Sequence, residues 1–254
     1  MLLLFQFKTM SSLVSILITL IRHGETEYNV KHITQGQLDV PLNEKGKHQA
    51  ILAGESLKND HFDLIYSSDL SRAFETAKTI VKENLVIKKE TQIVPEELLR
   101  ETCHGIFENR PSLELKEAAK AAGFEEPNLR KFRPPGGENQ DDLSFRASQF
   151  LTMLLAGECM QHKEGDSILI VSHGLFIREL LRILLNKETS GEESVQRLKN
   201  MLISGTGPNT GISKFYLSIN ANCDLISTKH LLFLSDSHLN TSSSKSRRLS
   251  GEEL

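Results

Sequence analysis

A chain of 254 residues has room for one large domain or two small ones with a substantial core. Hydrophobic residues at 39% and charged residues at 25% give the composition of a soluble globular protein. Thirty Lys plus Arg against 33 Asp plus Glu leave a net charge of -3, which speaks against a chain built around nucleic acid or an anionic membrane. Cys103, Cys159 and Cys223 are odd in number and lack CxxC spacing, so neither a disulfide framework nor a zinc knuckle is expected, and a reducing compartment is.

Two apolar runs open the chain, Met1 to Phe7 and Leu13 to Ile21, with Lys8 between them. Neither reaches membrane-spanning length. The second flows without a turn signal into Arg22-His23-Gly24, so it reads as a buried strand and not as a cleaved leader. Met10 offers an alternative start, and residues 1–12 read as an N-terminal extension.

Further on, short β-branched runs alternate with helical patterns. Strands are expected at Ser15 to Ile21, Phe62 to Tyr66, Ile93 to Leu99, Ser167 to Val171, Ser213 to Ile219 and Asp224 to Phe233. Helices are expected at Asn43 to Lys58, Leu70 to Lys82, Ser112 to Ala122, Asn139 to Leu155 and Leu175 to Leu185. The alternation predicts one α/β domain over residues 13–239, a three-layer sandwich with a mainly parallel central sheet flanked by helices. Residues 240–254 are rich in Ser, Lys, Arg and Glu, too polar to repay their ordering entropy, and read as a disordered tail.

The chemistry concentrates at strand ends. One buried strand ends in Arg22-His23-Gly24-Glu25-Thr26, a second in Ser172-His173-Gly174. A single histidine is ordinarily a packed side chain, but two strands ending in His-Gly within one domain would bring both imidazoles to the edge where open α/β sheets bind ligands. Between them, Ser67-Ser68-Asp69-Leu70-Ser71-Arg72-Ala73 presents Arg72 at a helix start, a favourable place for anions. Arg22, Arg72, His23 and His173 together suit a tetrahedral dianion, because guanidinium meets phosphate oxygens bidentately. No GxxxxGK[ST], GxGxxG or HExxH pattern occurs. A phosphoryl centre attacked by neutral imidazole fits best. Its leaving alcohol needs a proton donor, for which Glu101 is a candidate, although taken alone Glu101 would read as a surface carboxylate.

Three ordered blocks, Ile21-Arg22-His23-Gly24-Glu25-Thr26, Ser67 to Ala73 and Val171-Ser172-His173-Gly174, resemble those of the histidine phosphatase (phosphoglycerate mutase-like) superfamily. The resemblance implies that His23 is phosphorylated, that Arg22, Arg72 and His173 hold the phosphoryl group, and that Glu101 is the proton donor. It implies no metal and no organic cofactor. Ile33 to Gln37, Pro134 to Glu138, Pro208 to Ser213 and Ser235 to Leu239 resemble the fructose-2,6-bisphosphatase type within that superfamily. From this follow the expectations of a cytoplasmic enzyme that lowers fructose 2,6-bisphosphate, slows glycolysis and favours the pentose phosphate pathway. Roles in redox protection and cell-death control, with nuclear residence and association with the mitochondrial surface, are implied too.

Two positions depart from the family pattern. Thr102 stands where mutases carry an Arg for a substrate carboxylate, which weakens a mutase reading, and Asn109 stands where Gly often follows the next acidic residue. A phosphoglycerate mutase and a regulatory binding protein on the same fold are the alternatives. Substrate binding is assigned to Asn29, Gln35, Gly36, Arg133, Asn209 and Thr210, with Lys131 a further candidate donor. The expected ligand is a small phosphorylated sugar or glycerate, with no nucleic-acid partner and no membrane insertion.

Overall fold

Six strands form one sheet in the computed structural model, which describes residues 13–87, 91–156, 163–188, 195, 207–220, 222 and 224–234. They are β1 (Val14–Arg22), β2 (Leu64–Ser67), β3 (Ile93–Pro95), β4 (Ser167–Ser172), β5 (Ile212–Ile219) and β6 (Leu225–Leu234), in the spatial order β3-β2-β4-β1-β5-β6. β1, β2, β3 and β4 run parallel to their neighbours in that group, while β5 and β6 are antiparallel additions on the β1 side. The helices are α1 (Glu27–Val30), α2 (Glu44–Ser56), α3 (Ser71–Glu83), α4 (Ser112–Ala121), α5 (Gln140–Ala156) and α6 (Gly174–Leu185).

Parallel strands joined by helical crossovers are covered on both faces, so their sequences read as unbroken apolar runs. β4 obeys this: every residue is buried, with Ile168 and Ile170 facing one core and Leu169 and Val171 the other. The two-residue period splits the side chains between the two sides of the sheet. The larger core gathers Ile16, Ile18, Leu20, Phe150, Leu154, Phe176 and Leu180, drawing on α5 and α6. The smaller one packs Ile21, Ile65, Ala53, Ala73, Ala77 and Ile80, drawing on α2 and α3. The result is the expected three-layer α/β arrangement.

One expected strand is cut short. The run Ile93 to Leu99 pairs with β2 only as far as Pro95, and Glu97–Leu99 then turns as a 3-10 helix. Pro95 has no N–H to give the ladder, and the Glu96 carboxylate accepts from the Leu98 amide at 2.8 Å, so the chain leaves the sheet before Glu101. The short helix α1 was not foreseen. Thr26 and Asn29 cap it reciprocally, each side chain accepting from the other's backbone N–H.

No described helix is long and apolar enough to cross a membrane. The proposed extension at residues 1–12, the tail at 240–254, the 235–239 segment, Cys159 and Cys223 lie outside the described residues.

Candidate active site

Strand register builds the site. Arg22 pairs with Ser172 across β1 and β4, so the next residue of each strand is a histidine at the same level. The His23 amide donates to the Ser172 carbonyl at 2.9 Å, and the two imidazole centroids are 5.1 Å apart. Gly24 permits the close turn that follows: a Cβ there would run into the backbone of Gly46 in α2, and its amide donates to Thr76 Oγ1 at 3.1 Å.

Protonation at His23 is set by its neighbours. Nδ1 lies 2.6 Å from the Gly24 carbonyl, which can only accept, so Nδ1 carries the proton and Nε2 keeps its lone pair. Burial, then the charges of Arg72 and Arg22, hold the His23 pKa well below the ordinary imidazole value. The ring is therefore neutral at pH 7. His173 is also held low, by burial and then by Arg72, His23 and Arg22. It is fully buried and is not among the residues of the cavity wall, with Nε2 2.8 Å from Ser68 Oγ and no partner for Nδ1 among the described residues.

Arg72 occupies the first turn of α3 at 0% exposure. Its two terminal nitrogens donate to the carbonyls of Leu38 (2.7 Å) and Gly36 (2.8 Å), while Nε has no partner among the described residues. Burial pushes its pKa down to about 10, which leaves it charged at neutral pH. Arg22 Nη1 donates to the Gly207 carbonyl at 2.6 Å. Two cations and a neutral imidazole thus converge at the carboxyl edge of the sheet.

Glu101 is held opposite them. One carboxylate oxygen accepts from the Thr102 amide at 2.9 Å, and the other from the Leu175 amide at 3.1 Å, in the first turn of α6. A helix N-terminus favours a carboxylate there. Thr102 is itself buried. Asn109 has φ 63°, the left-handed conformation that glycine takes at no cost and that asparagine tolerates better than most residues, so replacing the family's glycine leaves the turn intact. Tyr28 Oη donates to Asn109 Oδ1 at 2.6 Å and secures it.

These groups open onto a cavity of about 480 Å³ whose wall includes Arg22, His23, Arg72, Glu101, Asn29, Gln35 and Gly36. The other expected substrate contacts lie elsewhere. Asn209 Nδ2 donates to the His23 carbonyl at 2.9 Å, and the Thr210 amide donates to the Arg22 carbonyl at 3.0 Å, so both brace the His23 turn from outside the wall. Arg133 is directed away and pairs with Asp142. Phe132 and Pro134 line the cavity, and in extended backbone the residue between them takes the opposite side. Lys131 is not in the wall either.

In place of Lys131 and Arg133, the structure brings Arg130 and Arg178 into the cavity, with Lys116, His104, Glu126 and Glu179 nearby in the wall. Burial lowers the pKa of both arginines, and the charge of Arg130 adds to the effect on Arg178, which falls to about 10. Glu179 is engaged by Arg182 at 2.6 Å. Arg178 was legible in principle: it lies three residues after Leu175, on the same face of α6. Among the described residues no three His, Cys, Asp or Glu side chains gather to hold a metal ion.

The geometry gathers two guanidiniums, a neutral imidazole and a carboxylate around one cavity at the edge of a doubly covered α/β sheet, and the sequence places the chain in a family. Residues 18–206 match the model of the histidine phosphatase superfamily (branch 1), and the chain belongs to that superfamily. A curated relative, fructose-2,6-bisphosphatase TIGAR B of Danio rerio, is 35% identical over 233 residues, covering 80% of this chain and 86% of the relative. The crystal structure of phosphoglycerate mutase from Bacillus anthracis str. Sterne superposes with a TM-score of 0.70 at 26% identity, covering 91% of this chain and 98% of that one. A mycobacterial glucosyl-3-phosphoglycerate phosphatase gives 0.68 at 25% identity, covering 87% and 100%.

Proposed function

We propose that this chain hydrolyses a small sugar bisphosphate, with fructose 2,6-bisphosphate as the preferred substrate, through a phosphohistidine on His23. The observation that carries the reading is the orientation of His23, with Nδ1–H spent on the Gly24 carbonyl and the Nε2 lone pair held beside Arg22 and Arg72.

In the first step Nε2 attacks phosphorus, the phosphorus–oxygen ester bond breaks, and Glu101 in its acid form gives its proton to the departing alkoxide. Arg22 and Arg72 neutralise the equatorial oxygens, with fixed donors that need no reorganisation as charge develops. In the second step the Glu101 carboxylate takes a proton from water, the water oxygen attacks the phosphohistidine, the nitrogen–phosphorus bond breaks, and inorganic phosphate leaves. His173, with its ring 5.1 Å from that of His23 and its Nδ1 without a partner among the described residues, is assigned to support the same phosphoryl group.

Arg130 and Arg178 support a substrate with a second anionic group, because both are half-buried cations in the cavity wall whose burial lowers their pKa, and a bound anion would stabilise their charge. The likeness to fructose-2,6-bisphosphatase TIGAR B supports fructose as the sugar in this reading. Asn29, Gln35 and Gly36 stand in the wall as sugar contacts. Cytoplasmic residence, with nuclear and mitochondrial-surface association, belongs to the same proposal, as does control of glycolytic flux. The phosphoglycerate mutase likeness favours a second reading in which 3-phosphoglycerate, and not water, takes the phosphoryl group.

A panel of fructose 2,6-bisphosphate, fructose 1,6-bisphosphate, 2,3-bisphosphoglycerate and glucosyl-3-phosphoglycerate decides between them. The highest kcat/KM is expected for fructose 2,6-bisphosphate, with release of inorganic phosphate. Faster transfer to 3-phosphoglycerate than to water would make the protein a mutase.

A further inference from the structure

We infer that Arg146 and Glu138 are a positioning pair that sets the place of the Glu101 carboxylate, and this inference rests on Glu101 being the proton donor. Arg146, in the second turn of α5, is only 12% exposed at its side chain, and all five of its N–H groups have acceptors. Nη1 donates to the carbonyls of Leu98 (2.9 Å) and Arg100 (2.5 Å). Nη2 donates to the carbonyl of Glu101 (3.1 Å) and to Glu138 Oε2 (2.8 Å), and Nε donates to Glu138 Oε1 (3.0 Å).

Three of those acceptors are main-chain oxygens of the segment that ends in Glu101. Glu138 extends the grip: Oε2 also accepts from the Cys103 amide at 2.8 Å, and the Glu138 amide donates to the Cys103 carbonyl at 2.8 Å. The backbone on both sides of Glu101 is therefore fastened to one ion pair. The guanidinium also lies 5.5 Å from the centroid of Phe176, the residue after Leu175, whose amide holds the Glu101 carboxylate. One side chain thus ties the main chain of Glu101 to the helix turn that orients its side chain. The segment follows Pro95, where strand pairing has ended; the sheet holds it at Glu96, whose amide donates to the Ser67 carbonyl at 2.8 Å, and at Leu99, whose carbonyl accepts from Ser172 Oγ at 2.7 Å, and the ion pair takes over from there.

Only a planar fork with five donors can serve all these acceptors; an ammonium keeps the charge but has three donors on one atom. Arg146→Lys therefore separates position from charge. The comparison is of kcat/KM, which reports phosphoenzyme formation and not the water step that both substrates share, on an alkyl ester, fructose 1,6-bisphosphate, and on p-nitrophenyl phosphate, whose leaving group needs no proton. A misplaced proton donor predicts that Arg146→Lys lowers kcat/KM on the alkyl ester about 10- to 100-fold while leaving the aryl ester within about threefold. Glu138→Gln, which keeps Arg146 and the side-chain volume, should lose in the same direction by less.

Equal losses on both esters, no loss on either, or failure of both variants to fold would make the pair merely structural and overturn the inference. Glu101→Gln in the same assays keeps the two ideas apart. If that variant fails to distinguish the esters, the proton-donor assignment itself is wrong, whereas discrimination by Glu101→Gln without discrimination by Arg146→Lys defeats the positioning role alone.

Discussion

The two ends of the cavity are built on different terms. At the sheet end, His23 and Arg72 are at 2% and 0% exposure, and each is tied to main-chain carbonyls by short hydrogen bonds. At the far end, Arg130 projects from a 3-10 turn and Arg178 from the second turn of α6, both half-buried, with the charge of Arg130 acting on Arg178. The sheet end is set by strand register, which a one-residue slip would destroy. The far end depends on a loop and a helix face that can change residue by residue. On the proposed function, chemistry sits on the rigid part of the fold and selectivity on the adaptable part, in keeping with similar proteins being named for fructose 2,6-bisphosphate and for glucosyl-3-phosphoglycerate.

The sharpest break of the comparison is at the sheet end. Removing the nucleophile with His23→Ala should lower turnover on every phosphate ester by about 10⁴-fold or more, since the other groups act only through it. Phosphate release measured on both the alkyl and the aryl ester checks this, and a substantial residual rate on either would contradict it. Next comes Glu101→Gln, expected to cost about 100- to 10,000-fold in kcat/KM, which reports phosphoenzyme formation, on an alkyl phosphate and far less on p-nitrophenyl phosphate.

At the far end the effect should be smaller and of another kind. Arg130→Gln or Arg178→Gln removes one charged hydrogen-bonding group, so KM for fructose 2,6-bisphosphate should rise about 10- to 100-fold. The p-nitrophenyl phosphate kinetics, which need no second anion site, should stay nearly level. A loss that is the same on both substrates would move these arginines from substrate selection to fold maintenance.

The smallest expected effect is on stability. His23, His173 and His104 all have folded-state pKa values below the unfolded one, burial being the first cause in each case. The unfolded chain therefore binds more protons below about pH 6.5, and stability is lost as the pH falls through that region, by at most about 1.4 kcal/mol per pH unit for each group. Denaturant midpoints at pH 7.5 and pH 5.5 measure it. Equal midpoints would show that these rings are not buried in their neutral form.

How much of this was legible depends on which period governs each segment. β1 and β4 were clear because strands buried on both faces leave continuous apolar runs that stop abruptly at Arg22-His23 and Ser172-His173, and the adjacency of the two histidines followed. The run from Ile93 looked like a strand up to Leu99, and only the missing N–H of Pro95 says where pairing ends. Among Arg130, Lys131 and Arg133, composition could not say which faces inward. A 3-10 turn followed by extended backbone places Arg130 in the wall and Arg133 on Asp142. Asn209 and Thr210 carry the right donors, but the Thr210 amide and the Asn209 carboxamide are spent on the carbonyls of Arg22 and His23, a use of main-chain geometry that no side-chain pattern reveals. The Arg146–Glu138 pair, in and just before α5, grips the Glu101 loop from outside it; Glu138 closes the Pro134 to Glu138 block, but nothing in the sequence ties it to Arg146 or to Glu101.

The central claim is that His23 Nε2 attacks phosphorus. It is tested most directly by brief reaction with ³²P-labelled fructose 2,6-bisphosphate, quenching in alkali and mapping of the label by peptide. The account predicts alkali-stable, acid-labile phosphate on the peptide containing His23, formed at the rate of turnover and absent from His23→Ala. Label on any other residue, or hydrolysis by the wild-type protein with no phosphoenzyme at any time, would contradict it.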